Sequence, residues 1–198
     1  MAAHIYAGVE GDLDAAVAAR LVTDAGASVA AVHGRGGKPR LLQQLHGFNA
    51  AAAHSPWLVL VDLDDDQCAP PAVGRWLPSP ASHMCFRVVI REIESWLLAD
   101  RARFATFLGV SRNLIPVEPE SVGDPKGLVV RLAQRSRNRR IREAMIPDPA
   151  GKRKIGPGYT AELVGFVQDH WMPTDAAVRA DSLARCLVRL RELLAAGP

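Results

Sequence analysis

The sequence predicts an α/β fold: a three-layer sandwich around a mostly parallel central sheet, followed by a basic helical C-terminal region. Three observations carry that expectation. The run Trp57-Leu58-Val59-Leu60-Val61 is apolar at five consecutive positions, as a strand buried on both faces of a parallel sheet would be. Strand-like and helix-like segments alternate through roughly residues 1–110, the order expected of βαβ units. Finally, residues 1–100 carry 7 Lys and Arg against 11 Asp and Glu, whereas residues 101–198 carry 17 against 10. The net charge of +3 therefore joins an acidic half to a basic one, and the division expected is a core over 1–110 and a helical region over 111–198.

The elements follow in order. His4 to Val9 reads as the first strand, ended by Glu10-Gly11-Asp12. Leu13 to Ala25 reads as a helix with Leu13, Ala16, Val17 and Leu21 on its apolar stripe. Asp12 is placed to cap it and Asp14 to favour its positive end. Glu10 has no such local explanation. Ser28 to Val32 is the second strand, followed by His33-Gly34-Arg35-Gly36-Gly37-Lys38. That loop suits a flexible connector better than a phosphate cradle, because it lacks P-loop spacing. A helix over Leu41 to Phe48 leads to the central strand, which breaks into Asp62, Asp64, Asp65 and Asp66.

Asp62 and Asp64 are two apart, so on an extended chain both side chains leave one face. Carboxylates at a strand end suit a hard divalent cation, and a solvated turn explains them equally well. One turn of helix is expected near Val73 to Leu77, then a strand from Met84 to Ile90. A helix from Arg91 to Leu108 follows, with Asp100 on its apolar stripe and expected to accept bonds from backbone or an arginine.

The second half reads as helical. Asp124-Pro125-Lys126 has the look of a cap with proline at the first helical position. Leu128 to Met145 hold six arginines between positions 131 and 142, and the loop Gly151-Lys152-Arg153-Lys154 adds three cations. Lys126, Arg139, Arg140, Lys152, Arg153 and Lys154 are the residues expected to meet phosphates, against the plainer reading of a solvated helical face. Helices are also expected over Thr160 to Trp171 and Asp181 to Leu194.

No apolar run approaches the length of a membrane span, and the first residues do not read as a secretory signal. Cys68, Cys85 and Cys186 lack metal-type spacing and fit free thiols in a cytoplasmic protein.

Glu10-Gly11-x-x-Asp14 after the first strand and Asp62-Leu63-Asp64 after the central one resemble the TOPRIM domain, a Rossmann-like topoisomerase–primase fold shared with certain nucleases and recombination proteins. A closer resemblance is to a bacterial family of unknown function with TOPRIM-like motifs. It is carried by Asp62 to Cys68 and by Glu92-Ile93-Glu94-Ser95-Trp96-Leu97-Leu98-Ala99-Asp100. The resemblance implies Mg²⁺ or Mn²⁺ held by Glu10, Asp62 and Asp64, with Glu10 alternatively a general acid/base. It also implies metal-dependent hydrolysis or transfer of phosphodiesters. Glu94, with Glu92, would complete a second metal site or simply sit in a helix's first turn. No tyrosine is placed at the site by sequence, so covalent strand passage is not expected. Nucleic acid is the partner implied, with a second protein or a second copy as further partners and no membrane. The alternative is a non-catalytic nucleic-acid-binding or interaction module, as in phage-defence or toxin systems.

Overall fold

The computed structural model describes residues 3–64 and 68–196. Asp65 and Asp66 therefore lie outside the described residues. The chain divides into two compact units, Met1–Ile90 with Asp181–Pro198, and Arg91–Ala180. The divide falls at Ile90 rather than at residue 110, and the last helix belongs with the sheet. Among the described residues no helix is long and apolar enough to cross a membrane.

The first unit is α/β. Strands β1 (His4–Val9), β2 (Ser28–Gly34), β3 (Trp57–Asp62) and β4 (Met84–Val89) form one sheet in the order β2-β1-β3-β4. Every adjacent pair is parallel. All six residues of β3 are buried, which is why its sequence shows no alternation. The backbone still alternates. Trp57, Val59 and Val61 face a core shared with Leu41, Leu45 and Phe48 of α2 (Lys38–Ala51) and Ala72 of α3 (Ala69–Trp76).

Leu58, Leu60 and Cys85 have the opposite parity and are fully buried too. On that side α10 (Asp181–Ala195) packs against β4, and Cys186 of the helix is buried like Cys85 of the strand. Helix α1 (Asp12–Asp24) packs along β1 and β2. Each Val or Leu withdrawn from water in this way contributes roughly 1.5–3 kcal/mol.

Several boundaries differ from expectation for identifiable reasons. Gly11, not Asp12, occupies the cap position of α1, and Asp12 instead reaches Arg35 at 3.6 Å. The loop after β2 is shorter because His33 and Gly34 pair with Gly8 and Val9. Helix α3 starts at Ala69, where Pro70 and Pro71 suit a first helical turn.

The second unit is built from helices: α4 (Ile93–Ala99), α5 (Arg101–Leu108), α6 (Pro125–Gln134), α7 (Arg139–Met145), α8 (Tyr159–Asp169) and the short α9 (Pro173–Ala176). Its core holds Trp96, Phe104, Tyr159, Phe166 and Trp171. Trp171 Nε1 donates to the Trp96 carbonyl at 3.2 Å, and Phe104 meets Phe166 edge to face. The single helix expected over 91–108 is broken at Asp100, whose backbone leaves the helical region at ψ 60°. Its carboxylate is taken by the Met172 amide at 3.1 Å and by Arg103 at 3.2 Å, as anticipated for a buried acid on an apolar stripe. The helix expected over 128–145 is likewise split, because Ser136 turns inward to the Leu108 carbonyl. Asp124 does cap α6, accepting from the Gly127 amide at 2.8 Å.

Candidate functional site

The strand order reverses between β1 and β3: from β1 the chain goes outward to β2, then returns past β1 to β3 and β4. Open α/β sheets bind ligands outside the carboxyl ends of their strands at such a switch point. Glu10 follows β1 and Asp62 ends β3, so both stand at that place.

Their contact follows from the geometry of the ladder. The β1–β3 pairing ends at Gly8 and Val59, while both strands continue. Successive amides of a strand point to opposite neighbours. The Leu63 amide donates to Val89 on the β4 side at 2.9 Å, so the Asp62 amide faces β1. There it donates to Glu10 Oε1 at 2.9 Å. A carboxylate thus replaces the backbone acceptor that a longer β1 would have supplied. The Glu10 backbone is itself pinned, its carbonyl accepting from the Gly37 amide at 3.0 Å.

Burial pushes the Glu10 carboxyl from 4.5 up to about 7, helped by the charges of Asp14 and Asp64 and opposed by the Asp62 amide and Lys38. Asp14 is itself buried although it lies in the first turn of α1. The motif's two acids, Glu10 and Asp14, are therefore electrostatic neighbours and not merely a strand end and a helix start.

Asp62 and Asp64 do not share an extended segment. Asp62 is the last strand residue and buried, whereas Asp64 adopts a left-handed backbone with φ 53° and is half exposed. Aspartate tolerates that region better than most residues. The alternation of side chains along β3 therefore stops at Leu63. What holds Asp64 is Lys38, whose Nζ lies 3.1 Å from Asp64 Oδ2 and 3.1 Å from the Leu63 carbonyl. Lys38 also sits 4.7 Å over the Trp76 ring. By sequence Lys38 falls in the loop after β2, a connector in preference to a phosphate cradle. It opens α2 and is the cation of this acidic cluster.

The donor set is hard oxygen throughout, the kind of ligand that Mg²⁺ and Mn²⁺ prefer, and the charges of Asp14 and Asp64 bear on Glu10. Among the described residues no group of three His, Cys, Asp or Glu side chains forms a ready-made set of ligands.

Glu94 belongs to the helical unit, apart from the other three predicted acids, which lie in the sheet unit. It is 1 % exposed, with Oε1 accepting from the Tyr159 hydroxyl at 3.1 Å and forming an ion pair with Lys126 Nζ at 3.8 Å. Among the described residues its buried Oε2 has no hydrogen-bond partner. Burial raises its pKa to about 7, opposed chiefly by Lys126. Glu92 binds the Lys126 amide at 2.9 Å and its ammonium at 3.3 Å. Tyr159 thus has an acidic partner in the helical unit. The two lie 65 residues apart in sequence.

The residues expected to meet phosphates divide. Lys126 is engaged by Glu92 and Glu94, Arg139 by Glu143 at 2.7 Å, and Arg140 by both oxygens of Glu162 at 3.0 and 3.1 Å. Lys152, Arg153 and Lys154 are exposed on the loop before α8. Compared with known proteins, the chain matches no family model, no curated protein and no solved structure.

Proposed function

We propose that the sheet unit carries a metal-dependent phosphodiester-cleaving or -transferring site of TOPRIM-like type, formed by Glu10, Asp62 and Asp64. The single observation that carries this is the bond from the Asp62 amide to the Glu10 carboxylate at the switch point of a parallel sheet. In this reading Asp62 and Asp64 hold Mg²⁺ or Mn²⁺. An ion held there would supply charge neutralisation to a phosphoryl group. Glu10, with a pKa near 7, moves a proton to or from the attacking water or the departing oxygen. Lys38 holds Asp64 in an ion pair and adds a positive charge beside the phosphoryl oxygens. The order of the two short motifs along the chain, each at a strand end, supports the likeness to TOPRIM enzymes.

The test is incubation of the purified protein with single- and double-stranded DNA and RNA in Mn²⁺. Cleavage is expected to fall by about 10²-fold or more in Glu10→Gln and in Asp62→Asn. Cleavage unaltered in the double variant would refute the assignment. A second reading, nucleic-acid binding without chemistry, draws on the exposed Lys152, Arg153 and Lys154. It is favoured if binding weakens steeply with salt while no metal supports cleavage.

A further inference from the structure

Within the helical unit a cavity of about 330 Å³ is lined by Arg101, Arg103, Arg112 and Arg179 together with Asp100 and Asp175. Its charges do not balance internally. Arg103 serves both carboxylates, with Nη1 at 3.2 Å from Asp100 and 2.7 Å from Asp175. Arg101 is fixed by neutral acceptors: Nε and Nη2 donate to the Ile115 carbonyl at 3.0 and 2.7 Å, and Nη2 to the Arg112 carbonyl at 3.3 Å. Those bonds orient the guanidinium without cancelling its charge and leave Nη1 out of them. Among the described residues the side chains of Arg112 and Arg179 make no hydrogen bond or ion pair. A solvated surface explains one such arginine. It does not explain three guanidinium groups without a carboxylate partner around one concavity.

The backbone adds to the same field. Arg101, Ala102 and Arg103 are the opening residues of the eight-residue α5. First-turn amides of a helix have no intrahelical acceptor, and the positive end of the dipole lies there. Four arginines against two aspartates leave a formal excess of two positive charges in the lining. We infer that this cavity binds a dianionic phosphate group, as carried by a phosphate monoester or by the 5′ end of a nucleic-acid strand. Arg112 and Arg179 contact the phosphate directly, and the immobilised Arg101 supplies a third donor. Val178, 78 % exposed on the rim, offers an apolar contact to whatever the phosphate esterifies. The inference stands apart from the carboxylate site of the sheet unit and survives if that site proves inactive.

The experiment is calorimetric titration of the full chain, in metal-free buffer, with phenyl phosphate and with 5′-phosphorylated and 5′-hydroxyl forms of one short oligonucleotide. The expected result is phenyl phosphate binding that weakens at least about tenfold in Arg112→Gln/Arg179→Gln. Arg185→Gln, which removes an exposed charge paired with Asp181 elsewhere, is expected to leave it unchanged. A preference for the 5′-phosphorylated strand, abolished in the double variant, supports the inference with a strand end as the source. Equal binding of the two strands with phenyl phosphate retained supports it with small monoesters as the source. No phosphate binding, or equal losses in Arg185→Gln and the double variant, overturns it.

Discussion

The Glu10 carboxylate accepts a hydrogen bond from the Asp62 amide at 2.9 Å, so a side chain after β1 completes the backbone pairing of β3. One contact therefore serves strand alignment and the candidate chemistry together. Replacing Glu10 by Gln keeps an acceptor for the amide and removes the charge. Its consequences for stability follow from the raised pKa.

The Glu10 carboxyl sits at about 7 in the fold against 4.5 in the free chain, so the unfolded state releases its proton first. Its contribution is present below pH 4.5 and is lost as pH rises through 7. Glu10→Gln is expected to equal wild type in stability at pH 4.5 and to exceed it at pH 8. After allowance for solvent screening the gain is about 1–2 kcal/mol. Urea unfolding at the two pH values checks this, and a variant less stable at pH 8 would contradict it.

Glu94 follows the same sign with deeper burial. Glu94→Gln retains an acceptor for Tyr159 and is expected to stabilise by roughly 2–3 kcal/mol at pH 8, with the difference vanishing near pH 4.5. Tyr159→Phe acts oppositely. It strips the last hydroxyl from a buried acid, costs about 1–2 kcal/mol and drives the Glu94 pKa further up. Thermal melts across pH would show both trends.

Asp100 joins two segments of the helical unit through the Met172 amide and Arg103. Asp100→Ala leaves a buried amide without its acceptor and is expected to cost about 2–4 kcal/mol. Asp100→Asn, which keeps one acceptor oxygen, is expected to cost less than half of that. Equal losses in the two variants would show that the charge, rather than the bond to Met172, is what matters.

Gly34 and Gly47 make a paired test of how the Glu10 segment is held. Gly34 has φ 93°, and a Cβ there would lie 2.2 Å from the Val9 carbonyl oxygen. Gly34→Ala is expected to lose several kcal/mol and to displace Glu10, which follows Val9 in the chain. Gly47, inside α2, has open space around it. Gly47→Ala is expected to stabilise by about 0.5–1 kcal/mol with activity unchanged. Denaturation and cleavage measured on both variants distinguish the outcomes.

The strands were legible because each signal was local. The apolar runs His4–Val9, Trp57–Asp62 and Met84–Val89 are the observed strands to within a residue, and the parallel sheet follows from their lack of alternation. The meeting of Glu10 with Asp62 was also within reach, since both stand at strand ends. What escaped depends on distant partners. The break at Asp100 exists because Met172, 72 residues on, takes its carboxylate. Lys38 finds Asp64 across 26 residues, and Glu94 finds Tyr159 across 65. The arginines of α7 read as a phosphate face because Glu143 and Glu162, which engage Arg139 and Arg140, are invisible as partners until α7 and α8 pack. Helix α10 read as part of a C-terminal region, since nothing in its stripe says that it covers β4.

The most direct measurement of the central claim is calorimetric titration of Mn²⁺ into wild type, Glu10→Gln and Asp62→Asn at pH 7.5. The account predicts saturable binding to wild type, weakened by about tenfold or more in each variant and accompanied by proton release as Glu10 ionises. Identical isotherms for all three proteins, or none with saturable binding, would contradict it.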